Sequence, residues 1–182
     1  MVGYQIGRLK PIGQPFALTV SRASPRLSIH LVHSLGLDDA GEHLTTIRSS
    51  YQLSNAATDE PVVTYDYARD PPNEYPEAHL HIQGEAVAIQ DMLERCGRRK
   101  DKPDDLHFPV GGRRFRPCLE DLIEFCILER LVTPRNGWSA ALNKSRNRFL
   151  DAQLRAAVRR FPESAATELR SQGWRVAAPD GG

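Results

Sequence analysis

The first half of the chain alternates between apolar and polar residues, and this period limits what it can become. In residues 16–22 (FALTVSR), Phe16, Leu18 and Val20 fall on one side; in 27–35 (LSIHLVHSL), Leu27, Ile29, Leu31, His33 and Leu35 do the same. A period of two over such lengths belongs to half-buried strands. Residues 43–54 (HLTTIRSSYQLS), rich in Thr and Ser, predict a third strand, 62–69 (VVTYDYAR) a fourth and 78–83 (AHLHIQ) a fifth. The segments between them carry turn chemistry: Ala23-Ser24-Pro25, then Gly36 to Glu42, Asn55 to Pro61, and Asp70 to Pro76 with three prolines. Short links between successive strands imply an antiparallel meander.

After residue 85 the period lengthens. Ile89, Met92, Leu93 and Cys96 sit at helical spacing in 86–96, with Gly97 suited to the position after the helix end. A charged loop, 97–105, leads to a short sixth strand at 106–110 and a turn at Gly111-Gly112. A helix over 117–132 starts on Pro117 and carries the stripe Leu119, Leu122, Ile123 and Cys126. A second runs over 139–160 with Ser139 as its cap, and a third from Pro162 to near Gly173, where Trp174 packs back. The expected architecture is an α+β fold, an antiparallel meander sheet of five or six strands covered by C-terminal helices. Residues 1–132 form the sheet-plus-helix domain, 133–176 a helical extension packed on it, and 177–182 a disordered tail.

No run approaches the 18 apolar residues of a membrane span. The start, MVGYQIGRLKPIG, lacks the apolar core of a secretory signal, so a cytoplasmic location is expected. Cys96, Cys118 and Cys126 are too few and scattered for a disulfide framework, and the last two read as core residues. Phosphate-loop, dinucleotide, zincin and serine-hydrolase signatures are missing. The net charge of +1 hides an asymmetry: residues 1–91 carry 6 Lys/Arg against 11 Asp/Glu, and residues 92–182 carry 18 against 12. The basic half suits either a polyanion or simply solvated helices.

Three segments can carry chemistry. On a strand at 78–83, His79, His81 and Gln83 point one way and Leu80 and Ile82 the other. Two imidazoles on one face either bind a metal ion or share proton transfer at a phosphodiester; equally, they are polar residues on a wet sheet face. In LHFPVGGRRFRP, Arg113, Arg114 and Arg116 follow a glycine turn just after His107 and suit a phosphate or RNA backbone, or plain solvent. In TYDYARDPPNEYP, Tyr65, Tyr67 and Arg69 share a face, alternating with Asp66. If this strand pairs with 78–83, a tyrosine stands beside His79 or His81 and offers a ring on which a base stacks; the alternative is that both tyrosines face the core. His30, His33 and His43 show no partner spacing and read as structural.

Tyr65-Asp66-Tyr67, Ala78-His79-Leu80-His81 and the run Pro117-Cys118-Leu119-Glu120-Asp121-Leu122 occur in an order that resembles the TumE-type toxins of bacterial type II toxin–antitoxin pairs. The resemblance spans about residues 60–132. It implies a small cytosolic protein acting on RNA or translation and neutralised by a cognate antitoxin protein. On that footing the leading expectation is a metal-independent endoribonuclease without cofactor. His79 and His81 would exchange protons with the ribose 2′-hydroxyl and the leaving oxygen, Arg113 would stabilise the phosphorane, and Tyr67 would orient or stack. Arg114, Arg116, Arg69 and Tyr65 would hold RNA. Two other readings stand beside it. One is a non-enzymatic module binding protein or nucleic acid through 139–160, which holds Arg146, Arg148, Arg155, Arg159 and Arg160. The other is a metal enzyme: the spacing His79-x-His81-x-x-x-Glu85 resembles the first metal motif of cupins and implies one divalent ion on those three residues.

Overall fold

A computed structural model describes residues 16–18, 27–38, 40–72, 75–84, 86–96 and 102–177. Residues 19–22 of the first expected strand, the turn at 23–25, Glu85, Gly97 and the tail from 178 lie outside the described residues. The chain divides into two compact units, residues 1–136 and 137–182.

The first unit is built on a six-stranded antiparallel sheet whose strands follow one another in chain order. They are β1 (Phe16–Leu18), β2 (Leu27–Leu37), β3 (Leu44–Asn55), β4 (Pro61–Ala68), β5 (Ala78–Ile82) and β6 (Phe108–Pro109). The meander expected from the alternation is therefore present, with strand ends shifted by one or two residues. Turn side chains close the hairpins. Asp38 Oδ1 accepts from the backbone N–H groups of Glu42 and His43, at 3.0 and 3.1 Å. Asn55 Oδ1 accepts from the N–H of Ala57 at 2.9 Å, an Asx turn between β3 and β4.

Helix α1 (Val87–Arg95) follows β5, and a 3-10 turn (Pro103–Asp105) precedes β6. One turn of helix, α2 (Gly112–Phe115), comes next, where a simple hairpin turn was expected. Gly111 makes it possible. Its φ is 72°, and a Cβ there would lie 2.3 Å from the carbonyl oxygen of Phe115. The following helix, α3 (Leu119–Leu128), is shorter than the expected 117–132 at both ends. Pro117 stays outside it, and Cys118 is the cap residue. The Cys118 N–H donates to Asp121 Oδ2 at 2.8 Å, satisfying a donor that the helix itself leaves open. The far end closes by two backbone bonds, from Arg130 to the Ile127 carbonyl (3.0 Å) and from Leu131 to that of Cys126 (2.9 Å). This is a Schellman closure with Arg130 at φ 58°.

The core lies between one face of the sheet and α3. Ile29, Tyr51, Leu53, Leu122 and Cys126 are buried there, and Leu27, Leu31, Val63, Tyr65, Leu119, Ile123, Leu131 and Val132 pack around them. The strand residues are those that the alternation assigns to one side. The helix residues are the expected stripe, extended by Leu131 and Val132 because the Schellman closure folds them back.

In the second unit, α4 (Trp138–Arg160) and α5 (Pro162–Ser171) meet at Phe161. Gly137, at φ 78°, occupies the cap position of α4, so Ser139 is inside the helix rather than at its cap. Pro162 opens α5 as expected. Gly173 and Trp174 donate to the carbonyls of Arg170 and Leu169, each at 3.0 Å, but the Trp174 ring is exposed rather than packed back. Among the described residues no helix is long and apolar enough to cross a membrane.

Leu122 joins the sheet to α3, and truncating it opens a cavity in a close-packed core. Leu122→Ala should lower unfolding free energy by about 2–5 kcal/mol in a urea titration, whereas Leu154→Ala on the exposed side of α4 should cost under about 0.5 kcal/mol.

Candidate metal centre

Strand register decides which side chains meet. β4 and β5 pair with Thr64 opposite His81, Tyr65 opposite Leu80, Asp66 opposite His79 and Tyr67 opposite Ala78. Directly opposed residues share a face, so His79 and His81 stand with Thr64 and Asp66, and the tyrosines face the other way. β6 pairs on the far side, Phe108 with Leu80 and Pro109 with His79. That short ladder brings His107, one residue before β6, to the two histidines of β5.

The three imidazoles form a triangle. Ring centroids are 5.0 Å apart for His79 and His81, 4.7 Å for His79 and His107, and 4.5 Å for His81 and His107. A nitrogen from each ring lies within 4.8 Å of one from each of the others. Tyr75, from the proline-rich loop, stacks on His107 at 3.7 Å with ring planes 18° apart. Among the described residues this is the one cluster of three or more such donors.

Backbone carbonyls set two of the rings. Nδ1 of His79 lies 2.8 Å from the carbonyl oxygen of Pro76, and Nδ1 of His107 lies 3.1 Å from that of Asp105. A carbonyl only accepts, so each neutral ring carries its proton on Nδ1 and leaves a lone pair on Nε2. His81 Nε2 lies 3.7 Å from Asp66 Oδ2. Histidine ligands in metal sites are oriented in this way, by a carbonyl or carboxylate on the second ring nitrogen. The size fits as well. A triangle of edge 4.8 Å has its centre about 2.8 Å from each corner, so a shift of about 0.7 Å per ring reaches the roughly 2.1 Å Zn–N distance.

The electrostatics favour the lone-pair form. Burial holds the His107 imidazole below its ordinary pKa, and the charges of His81 and His79 push the same way, against a raising hydrogen bond to Asp105. The cluster is half-open: His79 is 9% exposed, and the side chains of His81 and Asp66 are 17% and 33% exposed.

Other residues singled out in the sequence lie elsewhere. Tyr67 is buried, and Tyr65 packs against the core under α3, so neither stands beside the histidines; register, not distance along the chain, separates them. Arg116 is buried on the tyrosine side of the sheet, its guanidinium 4.1 Å from the centre of the Tyr67 ring. Arg69, just past β4, donates through Nη2 to Thr45 Oγ1 on β3. The side chains of Arg113 and Arg114, like Glu85, lie outside the described part of the structure. The buried thiols are not metal ligands in waiting. Burial, with hydrogen bonds to Asp121 and Glu120, pushes Cys118 up to about 12, and burial pushes Cys126 up to about 11.

Two site residues do not stand out in the sequence. His107 is there only the neighbour of the arginine turn, because nothing local ties it to a strand some 26 residues earlier. Asp66 was visible as the alternate of Tyr65 and Tyr67, and the β4–β5 register alone would have placed it opposite His79. No family model, curated protein or solved structure matches the chain.

A histidine whose folded pKa is depressed resists protonation in the folded state. Its contribution is present above the unfolded value near 6.5 and is lost as pH falls through the lower folded value. Thermal unfolding of metal-free protein should therefore show Tm falling from pH 7.5 to 5, with a shallower fall for His107→Gln.

Proposed function

We propose that this chain is a metal-dependent enzyme whose centre is one divalent transition-metal ion held by His79, His81 and His107. The observation that carries this is the triangle itself: three ring nitrogens within 4.8 Å, two of the rings held by carbonyls so that Nε2 is the available donor. Imidazole sets suit zinc, copper, nickel and iron, and three protein donors with one position left over are the pattern of catalytic rather than structural zinc. When bound, such an ion supplies Lewis acidity and lowers the pKa of bound water toward about 7. The chain's own contribution is orientation. The Pro76 and Asp105 carbonyls fix two ring tautomers, Asp66 stands at the third ring, and Tyr75 braces His107 by stacking.

This reading takes up the metal alternative drawn from the His-x-His spacing, with His107 as the third donor. It is preferred to a metal-independent endoribonuclease because a third imidazole, His107, stands with the other two, which proton exchange between two histidines does not call for. Arg116 sits across the sheet on Tyr67. RNA as substrate and an antitoxin as partner rest on the toxin resemblance, and the basic residues of α4 remain the support for a nucleic-acid or protein partner.

Equilibrium dialysis of chelator-stripped protein against Zn²⁺ should give one bound equivalent and a Tm that rises with zinc concentration. His79→Ala, His81→Ala and His107→Ala should each weaken binding at least about 100-fold, and His43→Ala, on the β2–β3 turn, should not. Binding that survives all three substitutions would falsify the assignment.

A further inference from the structure

Resting on that metal reading, we propose that the ion is also a clasp. Held by all three imidazoles, it fastens residues 102–110 to β5; without it this stretch opens from the sheet, while β2 to β5 and α3 stay folded. The third ligand is thus in place only when the centre is occupied.

The three ligands differ in how they are held. His79 and His81 belong to β5, which pairs with β4 over five residues. His107 comes from a stretch that pairs with β5 over two, Phe108 opposite Leu80 and Pro109 opposite His79. Pro109 has no N–H to give to a ladder. The pairing ends with one more bond, from the Val110 N–H to the Ala78 carbonyl at 3.1 Å. An edge this short, with so few backbone bonds, belongs to the part of a sheet that opens most readily.

The residues before it are bonded to one another rather than to the sheet. The Lys102 N–H donates to Asp105 Oδ2 at 2.7 Å, the Asp105 N–H to the Lys102 carbonyl at 3.0 Å and the Leu106 N–H to the Pro103 carbonyl at 3.3 Å. The Asp105 carbonyl in turn holds the His107 ring. A single turn is too short to keep its shape alone, so these bonds last only while the stretch is held in place. Side-chain packing ties it to the rest through buried Pro103 and the Tyr75 ring on His107. Beyond Gly111 and Gly112, both at positive φ, the chain is fixed again by Arg116 on the Tyr67 ring and by α3 in the core.

An ion on all three rings joins β5 to His107 and closes the loop between them. Bringing the ends of such a loop together costs chain entropy, which a two-residue ladder offsets only in part. Three metal–nitrogen bonds supply the rest, so part of the binding free energy goes into ordering the stretch. By the same linkage, the fraction of metal-free chain that is open lowers the apparent affinity for the ion.

Amide hydrogen exchange on the full chain tests this, with the N–H groups of Lys102, Asp105, Leu106 and Val110 as reporters. In chelator-stripped protein these should exchange within about 10-fold of an unstructured chain, while β3 amides bonded to β4 are slower by at least about 1,000-fold. One equivalent of Zn²⁺ should slow the reporters by at least about 10-fold. In His107→Ala, given enough zinc to occupy His79 and His81, the reporters should stay fast and β3 as slow as before. In His43→Ala, zinc should slow them as in the unsubstituted chain. Reporters as slow as β3 amides before zinc is added, or slowed by zinc in His107→Ala, would overturn the clasp. One bound zinc that leaves the reporters unchanged would end this inference and leave the metal centre standing; failure of the unsubstituted chain to bind zinc would remove both.

Discussion

The register between β4 and β5 governs everything else in the first unit. Setting Asp66 against His79 and Tyr67 against Ala78 sorts two chemically mixed strands into two consistent faces. One face carries tyrosines and aliphatic residues, the other imidazoles, a carboxylate and hydroxyls. A slip of one residue would put His79 under α3 and expose Tyr67, at the combined cost of burying an imidazole and wetting an aromatic ring. Ala78 shows the fit at close range. It is nearly inaccessible, it opposes the large Tyr67 ring, and the Arg116 guanidinium covers that ring in turn.

The buried face is held by a short helix with well-made ends. α3 has only ten residues, too few to be stable alone, so it depends on the sheet for its apolar stripe and on its closures for its backbone. Asp121 reaches back to the Cys118 N–H at one end, and Leu131 folds over Cys126 at the other, which adds Leu131 and Val132 to the core. Arg130 accepts a left-handed backbone for that closure, a conformation that costs a side-chain-bearing residue about 1 kcal/mol. The packing of Leu131 and Val132 offsets it. The same core explains the chemistry of its polar members. The Tyr51 phenol is pushed up to about 12 by burial, as the two thiols are, so none of them ionises near neutral pH.

The open face is organised by different forces. Ladder hydrogen bonds position the backbones of the three imidazoles, carbonyls orient the rings of His79 and His107, and the Tyr75 ring stacks on His107. The Pro76 carbonyl lies just before β5, within reach of the His79 ring three residues on. The Asp105 carbonyl is available because the 3-10 turn ends there. Burial and the two neighbouring imidazoles hold His107 below its ordinary pKa, which keeps its lone pair open to a cation. The loops that look like mere connectors in the chain thus set the tautomers on which the site depends.

Alternation alone located β2 to β5 to within two residues, because the pleat imposes its period of two on each strand separately. Helical spacing likewise located α1, α4, α5 and the buried stripe of α3. The ends of α3 were not legible, since they depend on where Asp121 and Leu131 find backbone partners. The candidate site was half legible: His79 and His81 share a face by their spacing, whatever the strand pairs with. That His107 joins them, that Asp66 rather than a tyrosine stands opposite, and that Arg116 is on the other side were decided by register and by a two-residue ladder. Period is a property of one strand; register is a relation between two, fixed only when the apolar face of the whole sheet closes against α3.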